Sequence, residues 1–292
     1  MIYIEYIGLI LFSYFVGNIS WSRIISKIKG VDITKQGSGN PGATNMLRTF
    51  GAKTGFLVLL LDAIKGIIPA LVGKFVMPLI NPQIDAEIGL FVAGLSVVLG
   101  HMFPVIYKFK GGKSVSTTLG VFMVANPLWL IVAFLAGFLY VWLFDYVSVA
   151  SLFIVAFMSG IQGYYYSLYK DEKTLIVLNA LIFLIFGLVW FAHRKNISRL
   201  ILGKENKANL QKSLRKQISK QKKEEYKEQK SQLKLEIKKL KAEYKEDAKL
   251  MKKSLKSEYK SAKENLTGTN ADILASQISL SNDDNQSNES DN

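Results

Sequence analysis

Three polar, glycine-rich segments interrupt a largely apolar chain: GSGNPGATNMLR at residues 37–48, GHMFPVIYKFKGGKSVSTT at 100–118 and HRKNISRLILGKE at 193–205. A loop that only links apolar runs needs a few turn residues. These segments hold what an anionic substrate needs: backbone N–H groups bared by glycine, hydroxyls, amides and fixed cations. Glycine lets several N–H groups converge on one anion, which makes Gly37 and Gly39 candidate cradle positions. Ser38, Asn40, Thr44 and Asn45 add neutral donors, and Arg48 adds a planar fork suited to phosphate. In the second segment Lys113 follows two glycines and precedes Ser114, Ser116 and Thr117. In the third, His193 and Asn196 come directly after an apolar run. The chain has two histidines, His101 and His193, and both lie in these segments.

Two nucleotide motifs are excluded by context. GSGNPG fits G-x-G-x-x-G, but that fingerprint has meaning only between a strand and a helix, and here an apolar span precedes it. The same segment has the glycines of a P-loop with Ala43 in place of the phosphate-reaching lysine, and GGKS at 111–114 has Tyr107 where the first P-loop glycine belongs. The absence of cysteine excludes disulfides, thiolate metal ligands and a cysteine nucleophile. No metal or cofactor is indicated. A His-x4-Asp box, typical of acyltransferases that use coenzyme A or carrier-protein donors, is absent, since Ile106 and Ser198 stand where its aspartate would fall.

The elements that must position these groups are membrane helices. A hydrocarbon core of about 30 Å needs roughly 20 apolar residues as helix. Candidate spans are 3–25, 55–80, 88–107, 115–125, 127–144, 147–164 and 174–192, seven in all, with 115–125 short and Asn126-Pro127 breaking the helix after it. The N-terminal run lacks the basic flank and cleavage site of a secretory signal and reads as a retained first span. Arg23, Lys27, Lys29, Lys35, Arg48 and Lys53 occupy one loop, Lys108, Lys110 and Lys113 another, and Arg194, Lys195 and Arg199 follow the last span. Alternate loops are acidic or balanced. The positive-inside rule then puts the N-terminus outside, the C-terminus in the cytoplasm and all three polar segments on the cytoplasmic face. Within the second span Asp62 and Lys65 share one helix face and suit either a mutually satisfied pair or a substrate role.

Composition changes sharply after Glu205. Residues 207–263 hold about 20 basic against about 8 acidic residues. Tyr244, Ala248, Met251, Leu255 and Tyr259 recur at helical spacing close to an 11-residue period, which favours a nearly straight helix over a heptad coiled coil. Residues 267–292 read as disordered. The tail's tyrosines are isolated, poor material for stacking bases; nucleic acid is disfavoured, and anionic lipid head groups are the simpler partner. The expected organisation is a membrane domain over 1–205, a Lys/Glu-rich helix over 206–266 and a polar tail over 267–292.

The three segments, in this order and on one face, resemble the bacterial acylphosphate:glycerol-3-phosphate acyltransferases, the PlsY family, over roughly residues 1–205. The resemblance implies an all-α integral membrane protein of about seven helices in the bacterial plasma membrane, with a groove open to the cytoplasm. It implies transfer of a fatty acyl group from acyl phosphate to glycerol-3-phosphate, giving lysophosphatidic acid and phosphate, without acyl-CoA or acyl carrier protein. Carried over by position, it points to Ser38, Asn40, Asn45, Arg48, Lys113, Thr117, His193 and Asn196. The family usually has glycine and alanine where this chain has Ser114 and Ser116. Since an acyl phosphate brings a good leaving group, direct attack by the glycerol hydroxyl is favoured over an acyl-enzyme on Ser38. Ser38, Asn196 or backbone amides are candidate oxyanion donors, with His193 or the donor's own phosphate as base. The soluble enzyme that makes acyl phosphate is a candidate partner. The resemblance is silent about the tail, and removal of the residues after Glu205 is expected to leave turnover largely intact.

Overall fold

The structure, a computed structural model, describes residues 2–265; the stretch expected to be disordered, 267–292, lies outside the described residues. The chain divides into two compact units between Lys220 and Gln221. In the first, six helical stretches are long and apolar enough to cross a membrane: Ile2–Ile28, Ala52–Ile80, Ala86–Tyr107, Pro127–Phe144, Val147–Ser167 and Glu172–Ala192. In chain order the helices are α1 (Ile2–Asn18), α2 (Trp21–Ile28), α3 (Ala43–Phe50), α4 (Ala52–Leu71), α5 (Met77–Ile80), α6 (Ala86–Met102), α7 (Val115–Ala125), α8 (Pro127–Phe144), α9 (Val147–Ser167), α10 (Glu172–Ala192), α11 (Arg194–Ile201) and α12 (Leu210–Asn265). The seventh expected span is α7, which at 11 residues falls short of a full crossing. The protein is a multi-pass membrane protein built only of helices among the described residues.

Helix α8 illustrates why such a sequence must sit in lipid. Leu130, Ala133, Gly137 and Val141 are buried against neighbouring helices, while Leu128, Ile131, Leu135 and Leu139 are exposed on another face at the same helical spacing. A helix apolar all round suits protein on one side and hydrocarbon on the other. Helix α6 is the hub and packs against α1, α4, α7 and α10. Its Leu90, Phe91, Val97 and Val98 form the core with Phe122, Tyr166, Ile182 and Ile185.

Small residues let backbones touch, the usual basis of helix association in lipid. A Cβ on Gly66 of α4 would overlap the Thr117 carbonyl, and one on Gly120 of α7 would overlap the Ala63 carbonyl. This contact seats the start of α7, and with it Lys113 and Ser114. The charged pair inside α4 is an ion pair in which Lys65 is also held by backbone carbonyls, while the buried Asp62 Oδ1 accepts no hydrogen bond. Lys65 Nζ lies 3.1 Å from Asp62 and donates to the carbonyls of Gly17 (3.3 Å) and Ile19 (2.6 Å). At the other end of the bundle Lys170 pairs with Asp85 (2.7 Å) and Lys74 with Glu87 (3.0 Å).

In the second unit α12 continues as one helix to Asn265. Leu233, Leu240, Met251, Leu255 and Tyr259 are exposed along it.

Candidate active site

A cavity of about 800 Å³ opens at one end of the bundle, and all three polar segments contribute to its wall. The first segment is held from behind. Asn45, 1% exposed, accepts from the Ser38 N–H (3.0 Å) and donates to the carbonyls of Ile33 (3.2 Å) and Gln36 (2.9 Å). Its amide is therefore spent on bending the loop. Gly37, at φ +54°, packs over that amide, and Gly39 is also left-handed at φ +71°. Helix α3 then starts at Ala43, and Gly42 before it offers no side-chain cap.

The second segment wraps His101. The N–H groups of Gly111 and Gly112 donate to the carbonyls of Met102 and His101, both at 3.1 Å, and a Cβ on Gly112 would strike the His101 ring. The buried ring has Nδ1 3.5 Å from Thr117 Oγ1 and 4.0 Å from Asp62. Arg23 reinforces the loop by donating to the Lys110 carbonyl (2.8 Å) while stacking 4.6 Å from the Tyr107 ring centre. Ser114 holds φ +64°, a conformation that costs an L-residue roughly 1–2 kcal/mol. Ser114→Gly is expected to raise stability by about 1 kcal/mol, seen as a higher thermal unfolding midpoint in detergent; an unchanged or lower midpoint would show the strain is absorbed elsewhere.

The third segment sets His193, Asn196 and Arg199 three residues apart along α11, whose start abuts α10. His193 Nδ1 lies 2.8 Å from the Val189 carbonyl, so the proton sits on Nδ1 and Nε2 keeps its lone pair. Lys113 Nζ donates to Asn196 Oδ1. Asn196 Nδ2 donates to Glu205 Oε1 (2.6 Å), Ser148 Oγ donates to the same oxygen (3.1 Å), and Arg199 Nε donates to Glu205 Oε2 (2.9 Å). These bonds form one connected polar chain.

Electrostatics follow from burial and crowded cations. Burial, with Arg199 and Arg48 adding to it and Glu205 opposing, lowers Lys113 to about 8. Burial and the nearby Lys113 lower His193 to about 4, so its imidazole is neutral near pH 7. Burial draws the Arg48 guanidinium below its usual value. Burial would raise Glu205, but hydrogen bonds from Asn196, Arg199 and Ser148 outweigh it and hold the carboxyl below its usual range.

The residues after Glu205 also close on this wall. Arg48 donates from Nε to the Lys207 carbonyl (3.0 Å) and from Nη2 to the Asn206 carbonyl (2.8 Å). Asp145 caps α12, its oxygens accepting from the N–H groups of Asn209 (2.9 Å) and Leu210 (3.2 Å). Ser213 Oγ in turn accepts from the Ala52 N–H (3.0 Å) at the start of α4. Residues 206–213 thus form a strap across Arg48.

Ser38, Gly39, Asn40, Thr44, Asn45, Arg48, Lys113, His193 and Asn196 all border the cavity. Gly37 lies behind the loop, and Thr117 is fully buried against His101. Sequence reasoning gave no role to Glu205, Arg199, Ser148 or Asp145. The helical spacing of Arg199 from His193 and Asn196 was a usable signal. Nothing in the sequence marked Ser148.

The glycerol-3-phosphate acyltransferase family model matches residues 7–203. A glycerol-3-phosphate acyltransferase from Aquifex aeolicus is 38% identical over 200 residues, 68% of this chain and 97% of that protein. One from Finegoldia magna is 39% identical over 209 residues, 70% of this chain and 96% of that protein. Among solved structures, crystals of PlsY, described as an integral membrane glycerol 3-phosphate acyltransferase, superpose with a TM-score of 0.60 in the glycerol 3-phosphate form and 0.57 in the lysophosphatidic acid form. Both are 35% identical and cover 69% of this chain and 94% of the other.

Proposed function

The chain belongs to the glycerol-3-phosphate acyltransferase family, and we propose that this acyltransferase moves a fatty acyl group from acyl phosphate to the hydroxyl of glycerol-3-phosphate, giving lysophosphatidic acid and phosphate. The observation that carries this reading is the convergence of Arg48, Lys113 and the 37–45 loop on one cavity at the end of an apolar bundle. Two phosphate-bearing substrates, one attached to a long acyl chain, need such a site. Family membership supports placement in a bacterial plasma membrane, and the loop charges favour a cavity that faces the cytoplasm.

In this mechanism Lys113, Arg48 and the N–H groups around Gly39 hold the phosphates, with Asn40 and Thr44 as neutral donors. Asn45 positions Ser38. The hydroxyl oxygen bonds to the acyl carbonyl carbon as the carbon–oxygen bond to phosphate breaks. The proton passes to His193 Nε2 or to the departing phosphate. Ser38 and Asn196 donate to the carbonyl oxygen as it gains charge, a kind of stabilisation whose loss typically costs 10²–10³ in rate. Holding both substrates in line contributes up to roughly 7–11 kcal/mol. The basic helix over 221–265 is assigned to anionic lipid at the membrane surface, or to the soluble enzyme that supplies acyl phosphate.

The test is incubation of the detergent-solubilised protein with glycerol-3-phosphate and either palmitoyl phosphate or palmitoyl-CoA. Lysophosphatidic acid and phosphate are expected from palmitoyl phosphate alone. Product from palmitoyl-CoA would overturn the donor, and product from neither, in a folded sample, would leave an anion-binding mouth better suited to a transporter.

A further inference from the structure

A second cavity, of about 410 Å³, lies where α8 ends and the strap begins. Its walls have opposite character. One is the last turn of α8, where Trp142, Leu143 and Phe144 are exposed. The other carries three cations, Lys207 from the strap and Lys212 and Arg215 from the first turns of α12. Lys212 and Arg215 are three residues apart and so share a helix face, while Lys207 Nζ sits 5.9 Å from the Tyr146 ring centre. One short stretch, residues 207–215, therefore gathers three positive charges beside the apolar end of α8.

The one carboxylate in the cavity wall is already engaged. Both Asp145 oxygens accept backbone N–H groups of Asn209 and Leu210, which orient the carboxylate without neutralising it, so the wall carries three cations against one anion. Among the described residues none of the three cations pairs with a carboxylate. Three like charges around one hollow repel one another, and an anion between them relieves that repulsion. The end of an apolar span is also where hydrocarbon gives way to head groups.

We propose that this cavity binds the phosphate-bearing head group of an anionic membrane phospholipid, with the acyl chains along Trp142, Leu143 and Phe144. The site is separate from the catalytic cavity and does not depend on the reaction assigned there. It meets the catalytic wall at the strap, because the backbone of Lys207 holds Arg48 while its side chain faces the lipid site.

The test is native mass spectrometry of the full chain in detergent, titrated with phosphatidylglycerol, with phosphatidylcholine of the same acyl chains, or with inorganic phosphate. One tightly held phosphatidylglycerol is expected, with weaker retention of phosphatidylcholine. At about 1 kcal/mol per cation near the surface, Lys212→Gln and Arg215→Gln should each weaken phosphatidylglycerol about fivefold. Lys252→Gln and Lys253→Gln, each an equal loss of charge in the second unit, should leave that first lipid in place. Equal losses from both sets of variants would reduce the site to general attraction by a basic tail. Equal retention of the two lipids, or phosphate binding that matches phosphatidylglycerol, would overturn the head-group assignment.

Discussion

Lys113→Ala is expected to lower kcat/KM by about 100- to 1000-fold, the usual cost of removing a charge that meets developing negative charge in a desolvated site. Lys113 is half-buried near Arg48 and Arg199 and holds Asn196 by its side-chain oxygen. Its loss removes a phosphate ligand and frees the amide it orients. The pH profile gives an independent check. With Lys113 lowered to about 8, its cation is present below that pH and lost above it, so kcat/KM should fall on the alkaline side of about 8. His193, lowered to about 4, must be neutral to act as a base, and it is neutral throughout the range above about 4. Phosphate monoesters ionise near pH 6 and add a substrate limb common to every variant. The decisive comparison is Lys113→Arg, whose guanidinium stays charged. That variant should keep measurable activity and lose the alkaline limb. Retention of the limb in Lys113→Arg would assign it to another group.

A chain ending at Glu205 should be severely impaired, whereas one ending at Lys220 should work nearly as well as the full protein. The reason is the strap. Residues 206–213 supply both carbonyls bonded to Arg48 and the hydroxyl that meets the first N–H of α4. At about 1 kcal/mol per hydrogen bond, losing the strap costs on the order of 3–5 kcal/mol of local stability. Arg48 would also lose its fixed orientation. The expected sign is a raised KM for glycerol-3-phosphate of at least about tenfold, together with a lower unfolding midpoint. Composition suggests that turnover survives a cut after Glu205, whereas these hydrogen bonds predict its loss, and the truncation decides between them. Asp145→Ala in the full chain provides a milder version, since removing a helix cap costs about 1 kcal/mol, and Asp145→Asn should restore part of it. Full activity in the chain ending at Glu205 would show that Arg48 needs no strap.

The candidate site was legible where polar residues stood against an apolar background. Gly37 to Arg48 stood out as a candidate anion-binding loop, and α7 could be recognised as short from the Asn126-Pro127 break. What stayed hidden depended on pairings distant in sequence. Asn45 looks like another phosphate donor in the sequence, yet its amide is occupied by the loop's own backbone. Glu205 lies at the end of its segment, and its meaning comes from Ser148, 57 positions away. The strap was invisible because Arg48 bonds to backbone carbonyls of Asn206 and Lys207, which every sequence possesses.

The shortness of α7 bears on how a greasy donor reaches a charged site. At 1.5 Å per residue, its 11 residues reach about 16 Å, while the 18 of α8 reach about 27 Å. The two share the turn at Asn126-Pro127, and α7 spans about 10 Å less than α8, with Lys113 and Ser114 just before its first residue. A proposed reaction centre at the start of so short a helix is expected to lie below the rim of the bundle, towards the depth of the acyl chains. Lifting a 16-carbon chain out of lipid costs about 0.8 kcal/mol per methylene, more than 10 kcal/mol in all. A recessed centre avoids that cost: the donor's tail can stay dissolved in the bilayer while only its head moves sideways into the protein.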